Sequence, residues 1–202
     1  MNDVRPLRTA LAAVLLSLVA ACSVLPEPET VRVIPLAVPE PESARAGIDY
    51  TLAVPRPVTD AARDDRHVLV RTTSGTLTRY GPVQWPDRLP DAFRLALVRY
   101  LRDTGIAPSA TGSPASAERV LLLDLRAHEL AETPGGLVAD IDVEARLLDG
   151  DGRLVDRERF RATEPVGALQ PARVAAAFSG ALADTLPRIA GWLARHGGRP
   201  AG

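Results

Sequence analysis

Asp140, Asp142 and Glu144 stand at alternate positions in GLVADIDVEARLLDGDG (136–152). Side chains two apart on a strand share a face, so this row could hold a cation or pass protons as general acids and bases. Arg157, Arg159 and Arg161 repeat the same period in the next stretch, and guanidiniums lying across from the carboxylates would neutralise them instead. DGDG (149–152) begins like a calcium loop with Asp149 and Asp151. The pattern then breaks at Arg153, Leu154 and Phe160, where a third ligand, the turn glycine and the closing glutamate would stand. It reads as a hairpin turn. His67, His128 and His196 are scattered over a polar strand start, a wet strand face and the tail, with no metal-ligand spacing. There is no G-x-S-x-G nucleophile motif. No catalytic residue, metal ligand or bound cofactor is assigned, and the class expected is non-enzymatic.

Cys22, the only cysteine, lies at the end of an apolar run in LSLVAACSVLPEPE (16–29). Arg5 and Arg8 precede TALAAVLLSLVAA (9–21), giving a basic region, an apolar region and small residues, the order of an export signal. VAAC (19–22) has the form of a bacterial lipobox. A diacylglyceryl group on the thiol and an acyl chain on the new amine would anchor the chain, because two or three chains hold where one holds only marginally. Without a second cysteine no disulfide can form within the chain. Ser23, in place of an aspartate, favours the periplasmic face of the outer membrane.

Five prolines within LPEPETVRVIPLAVPEPE (25–42) make a stiff, solvated tether, with VRVIPLAV (31–38) a candidate edge strand. The expected organisation is a signal peptide over 1–21, acylated Cys22 and tether over 22–46, one domain over 47–197 and a frayed tail over 198–202. The charge is nearly balanced, 24 basic against 25 acidic residues, which argues against a nucleic-acid binder.

The elements that would position these groups form an α/β sandwich of about six strands packed by two amphipathic helices. IDYTLAV (48–54) and RHVLVRTT (66–73) read as strands, and GTLTRYGPVQW (75–85) as an extended piece with a turn at Gly81–Pro82. Leu89, Phe93, Ala96, Leu97, Tyr100 and Leu101 mark one helical face within 86–105, with Pro90 and Gly105 as start and stop signals. Segments 118–132, 136–152 and 153–163 alternate as an antiparallel meander. Val174, Phe178, Leu182, Leu186, Ile189 and Leu193 mark a second helix over 171–197, which Pro187 should kink or divide. Ser/Ala/Pro-rich APSATGSPASAE (107–118) reads as a surface loop. Arg79, Tyr80, Trp85 and Trp192 are candidate partner contacts, since Tyr, Trp and Arg are enriched in interface hot spots. Capping of the core is the other account of these aromatics.

The lipobox, the tether, YTLAVP (50–55), TRYGPVQWPDRLPDAFRLALVRYL (78–101), LLLDLRAHEL (121–130) and FRATEPVGALQPARVAAAFSGALADTLPRIAGWL (160–193) together resemble the ABC-type transport auxiliary lipoprotein family. The likeness covers roughly 48–193, and its most specific parts are the Tyr80/Trp85 pair with the following helix and the closing helix; Phe93, Leu97, Leu101 and Trp192 also match. The resemblance implies a compact α/β lipoprotein subunit that works with an MCE-domain protein, an ABC permease and an ATPase, moving lipid or other hydrophobic compounds between membranes. It further implies ring assembly in some members. Two other readings stand beside it: an assembly lipoprotein of a different envelope machine, and an enzyme using Asp140, Asp142 and Glu144.

Overall fold

The computed structural model describes residues 31–40, 47–115 and 117–198. The longest alternating segments make the backbone of the fold: β5 (Arg119–Thr133), β6 (Gly136–Asp149) and β7 (Leu154–Pro165) form an antiparallel meander. The hairpin between β6 and β7 closes as expected. Gly152 takes φ +79°, and the Asp149 carboxylate accepts the backbone N–H groups of Asp151 and Arg153.

The preceding chain builds the other half of a seven-stranded mixed sheet of order β1-β4-β3-β5-β6-β7. β3 (His67–Arg71) pairs antiparallel with β4 (Leu77–Gln84) and parallel with the end of β5, while β1 (Arg32–Val33) adds to the outer edge of β4. Of the expected strand 48–54, only β2 (Leu52–Ala53) is a strand, pairing parallel with the start of β5. Gly81–Pro82 is not a turn. β4 runs through it, and the register slips so that His67 faces Gln84 while Val68 faces Tyr80. A bulge suits proline, which has no N–H to give the ladder.

α1 (Leu89–Asp103) and α2 (Pro171–Arg195) cover one face of the sheet. Phe93 of α1 and Phe178 of α2 both meet His128 of β5, at ring-centroid distances of 6.0 and 5.0 Å. α1 stops where Gly105 adopts φ +71°. α2 is one helix from end to end despite Pro187. An interior proline costs about 3 kcal/mol, but Ile189, Trp192 and Leu193 beyond it are buried. Each such side chain contributes about 1.5–3 kcal/mol, so packing wins.

The histidine expected on a wet face is inside. A bulge at Arg126, between Leu125 and Ala127, reverses the alternation of β5. Leu121, Leu123 and Leu125 face the helices before it, and His128 and Leu130 do so after it. The end of the domain is tied down through Gly198: Arg119 donates to the carbonyls of His196 (2.9 Å) and Gly198 (3.0 Å). Residues 199–202 of the expected frayed tail lie outside the described residues, as do the signal segment, Cys22 and most of the tether.

Candidate functional site: the open face of the sheet

The face of β5–β7 turned away from the helices is a grid fixed by strand register. Its rows read Val120–Leu148–Leu154, Leu122–Arg146–Arg157, Asp124–Glu144–Arg159, Ala127–Asp142–Arg161 and Glu129–Asp140–Thr163. The carboxylate row of the sequence is therefore real and shares one face, with the arginines of β7 beside it. Toward the end of β5 the face deepens into a groove of about 510 Å³.

Glu129, which the sequence did not single out, is the anchor of this groove. Its side chain is 0% exposed. Arg63, from the loop between β2 and β3, grips it with Nε and Nη2 at 2.6 and 2.8 Å, and Arg71 of β3 adds Nε at 2.7 Å. Arg71 also donates to Asp140, so one guanidinium spans two carboxylates that face each other across β5 and β6. Burial pushes the Asp140 carboxyl up, and the Arg71 charge offsets this only in part. Asp142 behaves oppositely. Burial acts to raise it, but the hydrogen bonds and charges of Arg159 (2.6 and 2.5 Å) and Arg161 (2.9 Å) prevail and hold it below the usual carboxylate range. Glu144 accepts from Arg126 at 3.3 Å.

These contacts decide against proton donation by Asp142. A carboxylate clamped by two guanidiniums and held low in pKa keeps no proton to donate near neutrality. What the arrangement provides is a charged surface, grooved toward the end of β5.

The expected contact residues are dispersed. Arg79 and Tyr80 are adjacent in β4 and so point to opposite sides of the sheet. Arg79 is exposed, its Nη2 2.9 Å from Asp65. Tyr80 is buried, its hydroxyl donating at 3.2 Å to the Leu169 carbonyl ahead of α2. Trp85 and Trp192 are both 0% exposed, so neither ring presents area to a partner in this conformation. Trp85 packs edge-on against Phe178 and His128, and Trp192 donates its Nε1–H to Asp156 at 2.8 Å. All eight aromatic side chains of the protein lie in the core. The core-capping account holds for them, and Phe93, Leu97 and Leu101 join it.

Comparison with known proteins places the fold. The model of the ABC-type transport auxiliary lipoprotein component family matches residues 35–190. A Xanthomonas campestris protein of known crystal structure superposes with TM-score 0.67 at 28% identity, covering 84% of this chain and 94% of that one. A second crystal structure, of an uncharacterised protein, superposes with TM-score 0.64 at 15% identity over 82% of this chain and 99% of that one, a likeness of fold alone. An uncharacterised Bradyrhizobium diazoefficiens protein is 27% identical over 147 residues; the match covers 72% of this chain and only 40% of that longer protein. From the meander and the two helices on one face to the matched span, these observations agree: the chain belongs to the family of ABC-type transport auxiliary lipoprotein components.

Proposed function

We propose that this transport-auxiliary lipoprotein is a non-catalytic subunit of an ABC/MCE-type intermembrane transport system for lipids or other hydrophobic compounds. Acyl chains on Cys22 hold it to the periplasmic face of the outer membrane, and the Pro-rich tether lifts the domain toward its partners. The partners are an MCE-domain protein, an ABC permease and an ATPase, with further copies of the chain forming a ring. The domain docks the system or lines its periplasmic path.

One observation carries the reading beyond family membership: the carboxylates that could have done chemistry are each bound by arginine, in a lattice built around the buried Glu129. Such a lattice stiffens a surface and gives it charge specificity. The test is genetic. Deletion of the gene is expected to weaken the envelope barrier to detergent as much as deletion of the MCE-protein gene does, with the double deletion no worse. Wild-type chain restores the barrier, and Cys22→Ser does not. Additive defects in the double deletion would place the chain in a separate system.

A further inference from the structure

Three rows of the open face set like charges directly opposite one another, an arrangement that destabilises a sheet unless something compensates. In two of them the structure supplies the compensation. Glu129 and Asp140 share Arg71, and the row of Asp124 and Glu144 continues into Arg159, with Arg126 donating to Glu144. The third row, Leu122–Arg146–Arg157, has none. Arg146 and Arg157 are exposed Cα partners across β6 and β7. Among the described residues no carboxylate reaches either guanidinium. The next row outward is apolar: Val120, Leu148 and Leu154, the last 54% exposed.

We infer that the Arg146/Arg157 pair, with Leu122, Leu148 and Leu154 beside it, is a docking surface for an acidic patch on a different protein. The missing counter-charge is what the partner brings. A carboxylate is matched to guanidinium in geometry as well as sign, taking two parallel N–H···O bonds, and arginine is enriched among the anchors of protein interfaces. A second copy does not fit face to face, because it would bring its own Arg146 and Arg157 against these two. A lipid surface is disfavoured as well. Interfacial membrane anchors present Trp or Tyr at the boundary beside their Lys or Arg, but every aromatic of this chain is in the core. The inference rests on the chain acting through a protein partner, and not on which envelope system supplies it.

The test uses the full lipidated chain in cells, with the photoreactive residue p-benzoylphenylalanine replacing Leu154. The expected product is an adduct with another protein whose crosslinked peptide is rich in Asp or Glu. Arg146→Glu/Arg157→Glu should lower its yield by about tenfold or more, and replacing the partner's acidic residues by Arg should restore it. Arg146→Glu alone creates an opposite-charge cross-strand pair with Arg157, so its melting temperature should equal or exceed that of wild type. This separates lost docking from lost folding. An adduct with a second copy, an adduct with lipid only, no adduct, or a yield indifferent to charge reversal would each overturn the inference. If wild-type chain co-purifies with the transporter while Leu154 yields no adduct, this surface is wrong and the proposed function stands. If a charge-sensitive adduct forms with a protein of another system, the surface stands and the proposed function falls.

Discussion

His128→Leu should remove an acid sensitivity that wild type carries in its core. The imidazole is stacked at 7° on Phe178, meets Trp85 and Phe93 edge-on, and has no hydrogen-bond partner at either ring nitrogen. Burial pulls its pKa down to about 3 from an ordinary 6.5. Between those values the unfolded chain binds a proton that the folded chain refuses. Stability is therefore complete above pH 6.5 and is lost as the pH falls through this window. At pH 5 the loss from this group amounts to about 2 kcal/mol. Leucine has similar volume and nothing to protonate. It also removes buried polar atoms left without partners, so the variant should match wild type at pH 7 or exceed it by about 1–2 kcal/mol. Urea unfolding of unacylated Cys22→Ser chains, followed by Trp85 and Trp192 fluorescence, measures both at each pH. His67, His196 and the carboxylates are common to the two chains and cancel in the difference. The stability gap should widen by about 2 kcal/mol from pH 7 to pH 5. Parallel curves over that range would refute the reasoning and would mean that His128 is hydrated or partnered in the folded protein.

Other substitutions probe the remaining structure. Arg63→Ala leaves the fully buried Glu129 with Arg71 alone and should cost about 3 kcal/mol in urea unfolding. Replacing Arg63 and Glu129 together by Met and Leu should cost less than the single change, because no buried charge is stranded. Pro187→Ala returns an N–H to the carbonyl of Ala183 within α2 and should raise stability by about 1–2 kcal/mol, visible as a higher melting temperature. Trp192→Phe keeps most of the packing against Phe160 but loses the 2.8 Å bond to Asp156, for a loss of about 1 kcal/mol.

The helices and β6 were legible because their periodicity is unbroken. Leu89 to Leu101 and Val174 to Leu193 repeat at helical spacing, and Ala139 to Leu147 alternates cleanly with the charged side of β6. Two features escaped for one physical reason, that a bulge leaves no mark when ordinary residues carry it. At Arg126 the bulge turns His128 inward and Glu129 outward, so the histidine looked wet and the anchor of the ion lattice looked like part of an undifferentiated strand. Between Leu147 and Leu148 the register of β6 against β7 shifts by one residue, which sets Arg146 against Arg157 rather than against Asp156. Arg63 escaped because it reaches Glu129 from a loop 66 residues earlier, a contact no local pattern encodes. Pro187 and Gly81–Pro82 misled in the opposite direction. Their local preference for breaks is real, but the packing of α2 and the bulge between β3 and β4 absorb it. The tryptophans were ambiguous because the same ring serves a core or an interface, and only burial distinguishes the two.

The most direct test of the proposed function is recovery of the chain's partners from its own envelope. C-terminally tagged protein, mildly crosslinked and purified from detergent-solubilised envelopes beside a Cys22→Ser control, should bring down an MCE-domain protein together with its permease or ATPase in fixed proportion. Recovery of unrelated envelope proteins alone, at the same yield with and without the anchor, would contradict the account and leave the chain serving another envelope machine.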